Sequence, residues 1–269
     1  MSKNTLNISV IQPDIAWEDK AVNLNQYEQL IGSIEGKKEV VVLPEMFSTG
    51  FSMAPERLAE KMDGPSVSWM SEQARQHNII LTGSLIIEEE GHYYNRIIWM
   101  QPDGKYGTYD KRHLFGYANE HKHYAAGSKR LIVQVKGWKL CPLVCYDLRF
   151  PVWARQTPPA IKDAEQPASY DVLIYTANWP QKRSLAWKTL LQARSIENQA
   201  YVVGVNRVGQ DANDIVYGGE SSVFGPLGEM LWQAGNKPEV RTIVLEKEPL
   251  QDIRAQFPFL KDGDSFLLL

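Results

Sequence analysis

The sequence feature with the clearest chemical potential is Cys145, which ends the apolar run KLCPLVC and precedes the polar cluster YDLR. Pro151 follows and suits the first turn of a helix. The pattern therefore predicts a strand-to-helix turn that presents the thiol beside helix-start amides. Such a thiol is a nucleophile if a neighbouring base or positive charge activates it. The alternative, a small buried hydrophobe, fits Cys141 better because that residue lies inside the strand.

Two carboxylates and a lysine could activate this thiol. Glu45 ends the run VVVLP, where a buried strand is predicted and a carboxylate is costly unless it is partnered or functional. It could act as a general base, or it could be a solvated residue at a loop edge. Lys111, in YGTYDKRHLF, could present its ammonium to a developing oxyanion, and Glu120 could hold that ammonium charged. The alternative for Lys111 is an ordinary surface lysine.

The histidines allow two other hypotheses. His121 and His123 form an H-x-H pair beside Glu120, but no further ligand lies at a convincing spacing, so we expect no metal site. A cysteine–histidine hydrolase that pairs Cys145 with His113 is the stronger alternative. It leaves Glu45 without a function, and no third residue that would orient the histidine is evident.

The elements that must position these residues are short apolar runs between helical patterns. The runs are rich in Val and Ile and end at Gly, Pro, Asn or Asp, which is typical of buried strands. Helical spacing and composition predict helices at about 18–37, 65–77 and 182–199. This alternation predicts an α/β protein.

The order of elements is repeated along the chain. EVVVLPE, a helix, NIILTGSLI and a strand ending in QPDGK are echoed by DVLIYTANWP, a helix, AYVVGVNRVG and a strand ending in GPLGE. Two pseudo-symmetric β-α-β-β halves predict two sheets packed face to face with helices outside, a four-layer αββα sandwich. The alternative is a coincidence of common α/β units. We expect one domain over 1–269, with a core at about 5–247, a surface segment at 156–169 and a C-terminal tail at 248–269.

Composition excludes several function classes. The chain has 29 Lys plus Arg against 32 Asp plus Glu, a net charge of −3, so no concentrated positive field for nucleic acid or anionic membranes is expected. No apolar run approaches the ~18 residues of a membrane span, and no phosphate-binding loop occurs. The two cysteines lie too far apart on a strand to bridge, which favours free thiols in a reducing, cytoplasmic compartment.

Several segments resemble the nitrilase (carbon–nitrogen hydrolase) superfamily. They are LPEMFSTGF, YDKRHLF, CYDLRFP and TANWP followed by ARSIENQAYVVGVNRVG, in the right order over nearly the whole chain. Within the family, FSTGFSM and HLFGYANEH are most similar to the omega-amidases, which hydrolyse the side-chain amide of 2-oxo dicarboxylate monoamides such as 2-oxoglutaramate and 2-oxosuccinamate. The resemblance implies the αββα fold, association into homodimers through helical faces, and hydrolysis without a metal or organic cofactor.

The resemblance also implies a role for each candidate residue. Glu45 is expected to be the general base, Lys111 the oxyanion-stabilising lysine and Cys145 the nucleophile. Glu120 is expected to bind that lysine, and the backbone N–H of Tyr146 to complete the oxyanion hole. A non-catalytic binding protein on this fold would be expected to lose a member of the triad, and this chain retains all three.

The substrate is the least constrained expectation. A 2-oxo dicarboxylate monoamide carries a carboxylate and a keto oxygen whose burial requires a cationic partner. Arg149 is the candidate, with Phe115 and Trp179 as apolar walls. The alternative for Arg149 is a structural guanidinium tied to Asp147 or a neighbouring strand. N-carbamoyl amino acids, aliphatic amides and nitriles are competing substrates because the same triad serves all of them.

Overall fold

The computed structural model describes residues 4–156 and 169–264, in which strands and helices alternate. The strands are β1 (Thr5–Gln12), β2 (Val40–Val42), β3 (Ile80–Glu89), β4 (His92–Met100), β5 (Tyr106–Asp110), β6 (Val133–Val135), β7 (Trp138–Val144), β8 (Val172–Thr176), β9 (Tyr201–Val205), β10 (Val208–Gln210), β11 (Val216–Gly218), β12 (Ser222–Phe224), β13 (Met230–Gln233) and β14 (Glu239–Glu246). The helices are α1 (Lys20–Gly32), α2 (Pro55–Leu58), α3 (Pro65–His77), α4 (Pro151–Ala154), α5 (Ser184–Asn198) and α6 (Lys247–Gln256). Apart from its two ends, the expected surface segment at 156–169 lies outside the described residues.

Twelve of the strands form two mixed six-stranded sheets of matching construction, and β10 and β11 pair as a separate hairpin. The first has the order β14-β1-β2-β3-β4-β5 and the second the order β13-β12-β9-β8-β7-β6. In the first, β1, β2 and β3 are parallel, and β4 and β5 return antiparallel. In the second, β7, β8 and β9 are parallel, and β12 and β13 return antiparallel. The predicted pair of pseudo-symmetric halves is therefore confirmed.

The sheets pack against each other through a continuous apolar core. Alternate residues of each strand point into this core because successive side chains of a strand face opposite sides of the sheet. From the first sheet the core includes Ile8, Val40 and Val42, and from the second Ile174 and Val203, all fully buried. These contacts fix the two sheets relative to each other.

The outward faces of the sheets are covered by helices. Tyr27 and Ile31 of α1 and Met70 of α3 pack with Val41 on the outer side of the first sheet. A separate cluster joins helices α4 and α5 to the outer side of the second sheet; its members include Trp153, Trp187, Leu191, Leu173 and Tyr175. The order helix, sheet, sheet, helix is the predicted αββα sandwich.

Helix boundaries follow local capping chemistry. The Asp19 carboxylate accepts the Val22 N–H at 3.1 Å and starts α1, later than the expected residue 18. Pro65 starts α3, as predicted, and Asn78 ends it with a left-handed φ of 50°. A short 3₁₀ turn at 181–183 precedes α5, so the third predicted helix begins two residues later than expected.

The segment expected to form a C-terminal tail contains helix α6. Leu250 of this helix is buried, and Arg254 pairs with Asp171 at 3.0 Å. Helix α6 is therefore attached to the second half of the sandwich. Within the described ranges, no helix combines the length and apolar character needed to cross a bilayer.

Candidate active site

Strand ends from both sheets supply the predicted catalytic residues. Glu45 follows β2 and Lys111 follows β5 in the first sheet, while Cys145 follows β7 in the second. Asn178, two residues past the end of β8, also reaches this region, since its backbone N–H donates to Glu45 Oε2 at 2.9 Å. The site therefore lies where the two sheets meet, and its geometry depends on their packing.

The centre of the site is a buried ammonium between two carboxylates. Lys111 Nζ donates to Glu45 Oε1 at 2.8 Å and to Glu120 Oε2 and Oε1 at 2.9 and 3.0 Å. All three side chains are at most 1% exposed. Glu120 also accepts the backbone N–H of Phe115, which fixes its orientation. The two carboxylates and one ammonium leave this cluster with one negative charge when all three are ionised.

Two asparagines hold Glu45 in place. Asn95, in the middle of β4, donates its Nδ2 to Glu45 Oε1 at 2.8 Å. Asn178 donates its side-chain Nδ2 to the Glu45 backbone carbonyl at 2.6 Å, in addition to the backbone contact with Oε2. Each Glu45 oxygen therefore has a fixed partner. A carboxylate held in this way cannot rotate away from the groups beside it.

The electrostatics of the cluster follow from burial and from charge. Burial alone would lower the pKa of Lys111, but the charges of Glu120 and Glu45 outweigh it and hold the pKa above its ordinary value. Burial raises the pKa of Glu120, with Lys111 opposing the rise. Burial and the charge of Glu45 raise the pKa of the Cys145 thiol well above its ordinary value, although Lys111 opposes them. The thiol is therefore protonated at neutral pH and needs a base as it reacts.

Cys145 has a strained backbone conformation at the start of a 3₁₀ turn. Its φ of 41° lies in the left-handed region, which costs a non-glycine residue free energy and is concentrated at functional sites. Buried Asp147 stabilises the turn, because its Oδ2 accepts the Val144 N–H at 3.0 Å and the Tyr109 hydroxyl at 2.7 Å. Cys145 is half-buried as a residue, whereas Cys141 is fully buried in β7, and neither forms a disulfide.

The His113 side chain contacts Asp147 and Phe150 instead of Cys145. Its Nδ1 lies 2.8 Å from Asp147 Oδ1, and its ring stacks on Phe150 with centroids 3.8 Å apart. The charged groups that act on the thiol are instead Glu45, Lys111 and Glu120. In the described part of the chain, no group of three or more His, Cys, Asp or Glu side chains could hold a metal ion.

Comparison with known proteins places this arrangement in a family. Residues 7–255 match the family described as carbon-nitrogen hydrolase. The chain belongs to the carbon–nitrogen hydrolase family. It is 43% identical to the omega-amidase YafV of Escherichia coli K12 over 98% of both chains, and 31% identical to the 2-oxoglutaramate amidase of Bacillus subtilis 168 over 95% of this chain and 96% of the other. The protein is therefore an amidase, and the predicted family and reaction class are confirmed.

A solved relative has nearly the same structure. XC1258 from Xanthomonas campestris, a CN-hydrolase superfamily protein with an arsenic adduct in its active site, is 44% identical. The TM-score is 0.94, with 98% of this chain and 99% of that chain covered. The nitrilase-superfamily fold predicted from the repeated half and from the motifs is therefore confirmed.

Aromatic rings border the cluster of this carbon–nitrogen hydrolase. The Phe51 ring centroid lies 5.1 Å from Lys111 Nζ and 6.5 Å from the Phe115 ring. Phe115 in turn makes an edge contact with Tyr146, at 4.9 Å between centroids. Phe115, expected as an apolar wall, therefore lies one ring away from the buried ammonium and beside the residue that follows Cys145.

The other two residues expected to bind substrate contact each other. The Arg149 guanidinium lies 5.0 Å from the centroid of the Trp179 ring, and Trp179 follows Asn178 directly. Within the described ranges Arg149 forms no ion pair with Asp147, whose carboxylate is occupied by Tyr109, His113 and Val144. The structural alternative that tied Arg149 to Asp147 is therefore not seen in this part of the chain, whereas the contact with Trp179, which follows β8, agrees with the other form of that alternative, a guanidinium tied to a neighbouring strand.

Sequence reasoning assigned no role to Asn95 or Asn178. Asn95 is a fully buried polar residue in the middle of β4, and buried polar groups require partners. Asn178 lies at a strand end within TANWP, as Glu45 and Cys145 lie at theirs. The strand-end position of Asn178 is visible in the sequence, whereas the burial of Asn95 is not, and neither feature identifies the partner.

Proposed function

We propose that this amidase is an omega-amidase that hydrolyses the side-chain amide of 2-oxo dicarboxylate monoamides through a cysteinyl thioester. The observation that carries the mechanism is the buried Lys111 between Glu45 and Glu120 beside the Cys145 thiol. The similarity to an omega-amidase and to a 2-oxoglutaramate amidase over nearly the whole chain supports the substrate class.

In the first half of the reaction, Cys145 Sγ attacks the amide carbon while Glu45 takes the thiol proton. The raised pKa of Cys145 keeps the thiol protonated until attack, so the reaction needs a base, and Glu45 is a carboxylate that acts directly on this thiol. The resulting oxyanion is stabilised by the Lys111 ammonium and by the Tyr146 backbone N–H. Collapse breaks the carbon–nitrogen bond, and the proton on Glu45 passes to the departing nitrogen, which leaves as ammonia.

In the second half, water hydrolyses the thioester. Glu45, again ionised, takes a proton from water while the water oxygen attacks the carbonyl carbon of the thioester. The Lys111 ammonium and the Tyr146 backbone N–H stabilise the second oxyanion. Collapse breaks the carbon–sulfur bond, and Glu45 returns the proton to sulfur. Glu120 keeps Lys111 charged and oriented in both halves, since its two oxygens lie 2.9 and 3.0 Å from Nζ.

The far end of the substrate requires a cation and apolar walls. We assign the carboxylate and keto oxygen to Arg149, with Phe115 and Trp179 as the walls. Two contacts support this placement. Phe115 contacts Tyr146, which follows Cys145. Arg149 contacts Trp179, which follows the Asn178 that donates to Glu45.

An ammonia-release panel tests the function. The substrates are 2-oxoglutaramate, 2-oxosuccinamate, glutamine, an N-carbamoyl amino acid, an aliphatic amide and a nitrile. At least tenfold preference in kcat/KM for the two oxo-acid amides, or ~1.4 kcal/mol, is the expected result. Comparable rates on the carbamoyl compound or the nitrile would refute the substrate class. Cys145→Ala, as the control, should abolish turnover of every substrate.

We also propose a homodimer formed through the face of α5. Leu185 and Ile196 lie eleven residues apart on one face of this helix and are 79% and 51% exposed, and Met230, 52% exposed, lies on β13, which pairs with the strand β12 beneath α5. Exposed apolar patches of this kind mark interaction surfaces. Sedimentation equilibrium should give twice the 30.6 kDa chain mass, and Leu185→Asp should give the monomer.

A reducing compartment, the cytoplasm, is the proposed location. Both cysteines are free thiols, and the thiol of Cys145 must stay reduced to act as a nucleophile. Loss of activity on treatment with hydrogen peroxide, restored by dithiothreitol, is the result expected for such a thiol.

A further inference from the structure

A second arginine lies at the aromatic border of the site. The Arg183 guanidinium carbon is 5.2 Å from the centroid of the Phe115 ring. We propose that Arg183 is a specificity-determining residue that binds the carboxylate of the anionic amide substrate, acting with Arg149. This inference rests on the proposed function, since it names the group that recognises the anionic end of that substrate.

The two arginines are placed in a related way about the two predicted walls. Arg149 lies over the ring of Trp179, and Arg183 lies over the ring of Phe115. Trp179 also donates its Nε1–H to the backbone carbonyl of Arg183 at 2.9 Å, which ties the two walls together. Each of the two predicted walls therefore has a guanidinium over its ring.

Neither arginine has an anionic partner within residues 4–156 and 169–264. By contrast, Arg96, Arg194 and Arg254, whose side chains are at most 17% exposed, each pair with a carboxylate. A guanidinium that lies on an aromatic face keeps its N–H groups available at the edge, where they can bind a carboxylate through two hydrogen bonds. The guanidinium groups of Arg149 and Arg183, both at the border of the site, are therefore available to an anionic ligand.

The charge of the catalytic cluster makes a second cation useful. Two carboxylates surround the single Lys111 ammonium, so the reacting end of the site repels an anion. Lys111, Phe51, Phe115 and Arg183 follow one another in successive contacts, so two aromatic rings stand between the ammonium and the Arg183 guanidinium in this series. A substrate with its amide at Lys111 and its carboxylate at Arg183 is oriented by this polarity.

Paired substrates and a matched control variant test the inference. The substrates are 2-oxoglutaramate and pentanamide, an uncharged amide of the same chain length. Arg183→Gln should lower kcat/KM for 2-oxoglutaramate about 30-fold or more, mainly through KM, and change that for pentanamide less than twofold. Lys182→Gln makes the same charge change at the adjacent exposed residue and should leave both values unchanged. Arg183→Lys should recover part of the loss.

The outcomes separate the two proposals. If the wild type prefers 2-oxoglutaramate but Arg183→Gln keeps that preference, or loses both substrates equally, the role of Arg183 is refuted while the omega-amidase function stands. If the wild type shows no preference for the anionic amide, the proposed function fails and the inference fails with it. A folding defect in Arg183→Gln would appear as a lowered Tm. In that case the kcat/KM values of Arg183→Lys for the same two substrates test the role of Arg183.

Discussion

Replacing Lys111 with methionine should destabilise the fold as well as abolish activity. The ammonium lies 2.8 Å from Glu45 and 2.9 Å from Glu120, and all three side chains are buried. At an effective dielectric constant of ~20, each contact corresponds to roughly 6 kcal/mol of Coulomb attraction before desolvation is subtracted. Methionine has a similar volume, so the variant removes the charge and leaves two buried carboxylates facing each other.

The net cost is smaller than the Coulomb sum because burial of the charges is itself unfavourable. Removing one partner of a buried ion pair costs about 3–5 kcal/mol, which lowers the Tm of a domain of this size by roughly 6–20 °C. The loss should be partly reversible by a second change. Adding Glu120→Gln to Lys111→Met removes one of the two unpaired carboxylates and should raise the Tm again.

The pH dependence gives an independent check. Burial already raises the pKa of Glu120, and loss of Lys111 removes the charge that opposes this rise. A carboxyl group with a raised pKa in the folded state stabilises the fold when protonated, and this stability is lost as pH rises through that pKa. The Tm deficit of Lys111→Met should therefore be larger at pH 8 than at pH 5.

Thermal melts of the wild type, both single variants and the double variant, at both pH values, complete the cycle. An unchanged Tm for Lys111→Met would refute the electrostatic reasoning. The reasoning would also be refuted if Glu120→Gln lowered the Tm of Lys111→Met by as much as it lowers the Tm of the wild type. The two residues would then be energetically uncoupled.

Two further predictions concern the groups around Glu45. Glu45→Gln removes a charge that raises the pKa of Cys145. The pH at the midpoint of iodoacetamide alkylation should therefore fall, while the rate of amide hydrolysis drops ~10²-fold or more because the general base is lost. An unchanged or higher midpoint pH would contradict this. Asn95→Leu removes a hydrogen bond to a charged acceptor worth about 1.5–3 kcal/mol, so the Tm should fall by several degrees and kcat should fall roughly 10- to 100-fold with KM nearly unchanged. A variant that loses stability but keeps kcat would assign Asn95 a purely structural role.

The strand-end residues could be predicted from sequence because their position has a local signature. Glu45 and Cys145 each end an apolar run, and a polar residue at such a point needs a partner or a function. Lys111 follows β5 in the same way, although nothing in the sequence shows that its side chain is only 1% exposed. That burial depends on Glu120 and Glu45, which come from other parts of the chain.

The residues that were missed owe their roles to tertiary structure. Asn95 lies on the central part of β4, and its carbonyl accepts the Lys111 N–H at 3.0 Å because β5 pairs with β4. Arg183 was predicted to belong to a helix and is instead in the 3₁₀ turn before α5, where Trp179 holds its backbone. Periodicity assigns residues to elements, but it does not show which side chain from another element will lie beside them.

The hairpin of β10 and β11 is another feature that the repeat concealed. In the sequence, AYVVGVNRVG reads as one strand region, yet the chain leaves the sheet after β9 and forms a separate two-stranded unit before β12. Arg207, at this exit, is fully buried and pairs with Asp14 at 3.1 Å, which anchors the hairpin against the end of β1. The second sheet keeps the strand order of the first because the chain, after the β10–β11 hairpin, returns to pair β12 with β9.

The division of the site between two sheets links catalysis to the core of the sandwich. Glu45 and Lys111 are carried by the first sheet and Cys145 by the second, so the proposed proton transfer from sulfur to carboxylate crosses the boundary between them. Asn178 bridges that boundary, with 2.9 Å from its backbone N–H to Glu45 Oε2. Proton transfer requires heavy-atom distances of ~2.6–3.2 Å. The apolar contacts between the sheets therefore set the distance over which the thiol can be activated.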